Sequence, residues 1–170
     1  PDRFPASEYE ATKTALGSRL WGALYDQNPR PEEGNILRRD WWRFYKQSPI
    51  AFDEVIQSWD CTFKHALTSD FVVGQVWGKV GADKYLLDQV RGRWDLPATI
   101  REVRRLSERW PIARAKLIED KANGPAVIAR LRKEIAGLIP IEPVGGRIVR
   151  AQAAAPEAEA GNIYLPDPSI

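Results

Sequence analysis

The sequence predicts an α/β fold built on a mixed sheet, and three observations carry that expectation. Residues 52–94 hold three β-branched and aromatic runs in succession, the last two close enough to pair as a hairpin. Residues 97–143 then alternate helix and strand patterns, as parallel strands joined by crossovers do. Hydrophobic residues make up 44% of the 170, with seven Trp among them, which is enough for one domain of ordinary size with a true core.

The strands come first. "FDEVIQSWDCTFK" (52–64), "DFVVGQVWGKV" (70–80) and "KYLLDQVRGRW" (84–94) are the three runs, and "GAD" turns the second into the third. Pro97 opens a helix whose Ile100, Val103, Leu106 and Trp110 recur at helical spacing until Pro111 stops it. "ARAKLIED" (113–120) is a short fourth strand. "NGP" (123–125) starts a second helix with Pro in its first turn and Val127, Ile128, Leu131 and Ile135 along one side. "LIPIEP" (138–143) is the fifth strand. With this order the first and fourth strands can lie side by side.

Residues 1–49 read as an arm, and 50–170 as the main domain. Ser7 with Glu10 forms a capping box for a helix to about Leu16. Gly17 ends it, and Ser18 can cap a second helix carrying Leu20, Trp21 and Leu24. "QNPRPEEGN" (27–35) is a loop by composition. "ILRRDWWRFYK" (36–46) interleaves aromatic and basic residues; it can pack on a domain or stack on nucleic acid. "AQAAAPEAEAG" (151–161) is compositionally simple and reads as a disorder-prone loop or a short helix ending at Gly161.

Several function classes drop out. One cysteine, Cys61, excludes an internal disulfide and any multi-cysteine metal site, and one histidine, His65, excludes a His-rich centre. Any metal must therefore use oxygen ligands, as Mg²⁺ or Mn²⁺ do. The net charge of +2 does not by itself mark a nucleic-acid binder. No run approaches the roughly 20 apolar residues of a membrane span, and residues 1–20 lack a signal-peptide layout, so an intracellular chain without a membrane is expected. The start at Pro1 suggests a piece of something longer.

Two acidic positions stand out. "SWDCTFK" places Asp60 between Trp59 and Cys61 on the first strand, and "IEDK" closes the fourth with Glu119 and Asp120. If those strands are neighbours, carboxylates some sixty residues apart meet at the strand ends, where α/β sheets place ligands. A divalent cation would offset their repulsion and can activate water beside a phosphodiester. The same residues also fit a salt-bridged Asp60 and a solvated Glu119–Asp120 loop. Adjacent strand residues face opposite ways, so spacing alone leaves open whether Glu119 or Asp120 aims at Asp60. Lys121 follows the pair. Arg91 and Arg93 end the third strand, and further arginines stud both helices. His65 could shuttle protons, and Cys61 reads as a small buried apolar residue.

"VIQSWDCTFK…SDFVVGQVWGKVGADKYLLDQVRGRWDLP", "LIEDKANGPAVIARLR" and "GGRIVRAQAAAPEAEAGNIYLP" together resemble the C-terminal nuclease domain of phage and prophage terminase large subunits. The arm resembles the segment that links the ATPase domain of those motors to the nuclease. The resemblance implies an RNase H-like fold and an endonuclease of two-metal type, using Mg²⁺ or Mn²⁺, that cuts concatemeric double-stranded DNA during packaging. It implies Asp60 as the first-strand metal ligand and Asp120 as the second, with Glu119 as the alternative, because some branches place a Glu there. Arg147 and Arg150 fall in what the family makes a basic, hairpin-like region near the active face, so they join Lys121 as candidates for DNA contact. Implied partners are double-stranded DNA, a small terminase subunit, the portal protein and the protein's own ATPase domain. The implied setting is the bacterial host cytoplasm, transiently at the procapsid portal.

Two departures matter. The family's third acidic cluster follows the "YLP" segment by some tens of residues, whereas this chain stops at "YLPDPSI", so that ligand is expected beyond Ile170 and the chain alone is expected to lack full activity. No Walker A signature is present; "WGKV" (77–80) lacks its spacing, and no ATP hydrolysis is expected. Rival readings are a non-catalytic DNA- or portal-binding module of a degenerate prophage, and another RNase H-like nuclease such as a resolvase.

Overall fold

The structure, a computed structural model, describes residues 6–25, 36–61 and 71–170. It divides into two compact units: Pro1–Phe44 with Gly145–Tyr164, and Tyr45–Val144 with Leu165–Ile170. The expected first-strand residues 62–64, the loop 27–35 and His65 lie outside the described residues.

The second unit holds the order that the sequence predicts. Strands β1 (Arg43–Tyr45), β2 (Glu54–Asp60), β3 (Val72–Val80) and β4 (Asp83–Gly92) precede helix α2 (Leu96–Arg109), strand β5 (Ala115–Glu119), helix α3 (Gly124–Leu131) and strand β6 (Leu138–Ile141). With β7 (Ile163–Pro166), the strands form one sheet in the order β1-β7-β4-β3-β2-β5-β6. The fold class is thus mixed α/β. Pro140 is tolerated in β6 because β6 is an edge strand, where a missing N–H costs no ladder bond.

β3 and β4 form the hairpin across Gly81, whose φ of 58° is left-handed and suits glycine. α2 begins on a side-chain cap: the Asp95 carboxylate accepts from the Ala98 N–H at 2.8 Å, with Pro97 in the first turn. Both helices lay their apolar residues on one sheet face. Val103, Leu106, Val127 and Leu131 meet Val55, Trp59, Val72, Val76 and Ile118 in a single buried cluster. Gln57 shares that face as a polar tie: its Oε1 accepts from Trp59 Nε1 at 3.1 Å and from Ser107 Oγ of α2 at 3.4 Å. Glu134 pairs with Arg104 of α2 and Arg130 of α3, and these hydrogen bonds hold its carboxyl below the usual range.

In the first unit, helix α1 (Ala6–Leu24) is two helices joined at a kink. Gly17 sits there at φ 71°, ψ 161°, as its sequence position predicts. The helix starts at Ala6, so Ser7 lies inside it rather than at its cap. Trp21 is buried between Tyr9, edge-on at 4.5 Å, and Tyr25, stacked at 4.1 Å. Of the two readings open for residues 151–161, a disorder-prone loop or a short helix, the helix holds, and it is longer than expected: α4 (Arg147–Glu159) runs thirteen residues. Two causes act together. Alanine is the strongest helix former, and Gly17 leaves a notch into which α4 fits: a Cβ there would stand 3.3 Å from Pro156 Cγ.

Candidate metal and DNA site

β2 and β5 run parallel, with Ser58 beside Leu117 and Trp59 beside Ile118. Trp59 and Ile118 both enter the core under the helices. The row after them is the end of both strands, and it holds Asp60 and Glu119. Partners in a ladder project to the same face, so these two carboxylates share the face opposite the helices, with Ser58 and Leu117 below them. Asp60 is exposed and Glu119 half-buried. A charge follows Trp59 without entering the core because the strand's alternation turns it to the other side.

Cys61 registers both charges. It is buried at 1% exposure, and its thiol is pushed up to about 12, first by burial and then by the charges of Asp60 and Glu119. At neutral pH the sulfur is therefore protonated and a poor metal ligand. The donors on offer are carboxylate oxygens.

Asp120 lies one residue past β5. Its N–H donates to the Ile141 carbonyl at 2.8 Å and carries the β5–β6 ladder one step beyond Glu119. The turn after it is tight. Ala122 has φ 54°, left-handed backbone that costs a non-glycine residue about 1–2 kcal/mol, and Gly124 presses so close that a Cβ there would sit 1.9 Å from the Glu119 carbonyl oxygen. The α3 start is thereby fixed against the acidic strand end. Strain of this kind concentrates at functional sites; nothing in "DKANG" announces it. Lys121 is exposed, its Nζ donating to the Pro143 carbonyl at 3.4 Å.

Arg147 and Arg150 fall in the other unit, in the first turn of α4, so the expected hairpin-like region is a helix. Arg150 donates to the Gly145 carbonyl at 3.3 Å. Arg104, Arg105, Arg109 and Arg130 of the helices are held in ion pairs with Glu134, Glu102, Asp88 and Glu134. Arg91 and Arg93 are different: their guanidinium carbons lie 3.3 and 4.6 Å from the ring centre of Phe71. The sequence shows both arginines but not the ring between them, which a hairpin register would have been needed to place. Among the described residues, no group of three or more His, Cys, Asp or Glu side chains is set to hold a metal. No described helix is long and apolar enough to cross a membrane.

No protein-family model matches the chain, and no curated protein matches it. Solved structures do. The large terminase of a thermophilic bacteriophage superposes with a TM-score of 0.74 over 98% of this chain at 12% identity. The match covers 42% of that terminase, so this chain spans about two-fifths of its length. The large terminase nuclease of the thermophilic phage G20c with bound magnesium gives a TM-score of 0.56 at 13% identity, over 82% of this chain and 77% of its own. The same nuclease with bound zinc gives 0.52 at 14% identity, over 76% and 80%. At these identities the likeness is one of fold, and the fold is the RNase H-like mixed sheet of large terminase nucleases.

Proposed function

We propose that this chain is the DNA-cleaving region of a phage large terminase, a divalent-metal-dependent endonuclease that cuts concatemeric double-stranded DNA during genome packaging. One observation carries the reading: two parallel neighbours in this fold, β2 and β5, end together on Asp60 and Glu119. The G20c nuclease that shares the fold was solved with magnesium.

The residues present suit a hard cation. The donor set is carboxylate oxygen, the adjacent sulfur is protonated, and Mg²⁺ and Mn²⁺ take oxygen ligands and complete their shells with water and phosphate. Such a cation supplies charge compensation and an activated water for in-line displacement at phosphorus. Asp60 and Glu119 hold it. Asp120, which the family resemblance favours, stands next in line as a further oxygen donor, and the strand alternation shifts the principal role to Glu119. Two or three carboxylates leave room for a ligand from elsewhere in a longer protein, as the resemblance implies.

The protein's own groups then orient the DNA. Lys121, beside the acidic strand end, meets the scissile strand, with Arg147 and Arg150 as further phosphate contacts. Contacts to phosphate position DNA without reading its sequence and weaken as salt rises. Choice of packaging site therefore falls to a small terminase subunit, while the portal and an ATPase domain supply docking and force.

The test is Mn²⁺-dependent nicking of supercoiled plasmid by the full-length protein. Asp60→Ala and Glu119→Ala should each abolish nicking, and Asp120→Ala should reduce it. Nicking that persists in Asp60→Ala removes the proposal; plasmid binding without any nicking by the parent favours a non-catalytic module.

A further inference from the structure

We propose that Phe71, Arg91 and Arg93 form a clamp for a phosphate of the DNA backbone, on the same sheet face as the cleavage site and two strands away from it. The inference rests on the reading of Asp60 and Glu119 as that site and names how the substrate is held beside it.

Sheet register places the clamp. Asp60 lies opposite Val73 of β3, and Val73 lies opposite Arg91 of β4. Directly paired residues project to one face, so Glu119, Asp60, Val73 and Arg91 form a single row across four strands. Strands are about 4.8 Å apart, which sets the backbone of Arg91 about 10 Å from that of Asp60. Arg93 is two residues further along, and Phe71 is two residues before Val73. Alternation keeps both on the same side.

The chemistry of the three residues asks for an anion. Two guanidinium groups share one aromatic ring, at 3.3 and 4.6 Å. Stacking occupies the faces of the guanidiniums and leaves their in-plane N–H donors free to grip a phosphate in bidentate fashion. Like charges held together repel unless an anion sits between them. The helix arginines of the same unit have carboxylate partners; among the described residues Arg91 and Arg93 have no ion pair, and both are exposed. A phosphodiester chain fits because it carries one charge per about 3.4 Å of axis per strand. Roughly three steps along the axis separate a phosphate at the clamp from one at the carboxylates. A solitary small anion would have no reason to lie in register with the acidic row.

The experiment measures binding of a short labelled duplex of random sequence to the full-length protein over a salt series, without metal. Mn²⁺ binding is measured in parallel by calorimetry. Arg91→Ala/Arg93→Ala should weaken DNA binding about tenfold or more and reduce the salt slope by about 1.8, which is about 0.9 for each lost phosphate contact. Its Mn²⁺ affinity should stay within about twofold of the parent. Phe71→Leu retains both charges, so affinity should fall with little change in slope. Binding within about twofold of the parent and an unchanged slope in the double variant would overturn the clamp. The two readings fail separately. A parent that takes up no Mn²⁺ while the double variant loses slope keeps the clamp and removes the metal site; Mn²⁺ uptake with an unchanged slope does the reverse.

Discussion

Asp60 and Glu119 stand side by side as the last residues of two parallel strands, one row beyond the buried pair Trp59 and Ile118. Buried neighbours directly beneath charged ones make the site rigid from below: neither strand can slip without carrying an aromatic or branched side chain out of the core. The position of the carboxylates is thus a consequence of core packing.

Glu119 and Asp120 can be told apart by metal binding. Glu119→Gln should weaken Mn²⁺ at least about tenfold in a calorimetric titration, and Asp120→Asn should cost less. The reverse order would mean that the chain leaves regular strand geometry before residue 119.

Gly124→Ala tests the turn that backs the site. The added methyl would meet the Glu119 carbonyl oxygen at 1.9 Å, so the α3 start and the strand end must part. Overpacking of this order costs about 1–3 kcal/mol. We expect a lower urea midpoint together with weakened Mn²⁺ binding; a loss of stability with intact metal affinity would show that the turn does not position Glu119.

Gly74→Ala probes the layer below. Its Cβ would lie 2.5 Å from the Trp59 ring, and Trp59 is fully buried. Destabilisation of about 1–3 kcal/mol is expected by chemical denaturation. Wild-type stability would mean that Trp59 can move aside.

Cys61 sets a pH dependence. Its thiol rises from an ordinary 9.0 to about 12 in the folded chain, so the fold favours the protonated form. The stabilisation is complete below pH 9 and is lost as pH climbs from 9 towards 12, because the unfolded chain gives up the proton first. Each step of one in pH across that window is worth about 1.4 kcal/mol. Urea midpoints should fall more steeply over this window in the parent than in Cys61→Ala. Native Cys61 should also resist alkylation at mildly alkaline pH far more than the unfolded chain does, and equal rates would show the sulfur to be open.

The sequence by itself determined the order of elements from residue 52 to 143, the hairpin over Gly81, the break at Gly17 and the adjacency of the first and fourth strands. These are local matters: periodicity, turn residues and the short connections between them dictate them. Three things waited on tertiary structure. Whether Glu119 or Asp120 shares a face with Asp60 depends on parity in a strand of period two, and that parity is set by distant contacts of Trp59, Ile118 and Gly124. Residues 147–159 became a helix because Ala-rich sequence that is ambiguous alone found a glycine notch to pack into. Phe71 met Arg91 and Arg93 only through the β3–β4 register, which brings together residues some twenty positions apart. Composition holds no information about such meetings, since they arise from the free energy of packing the whole sheet.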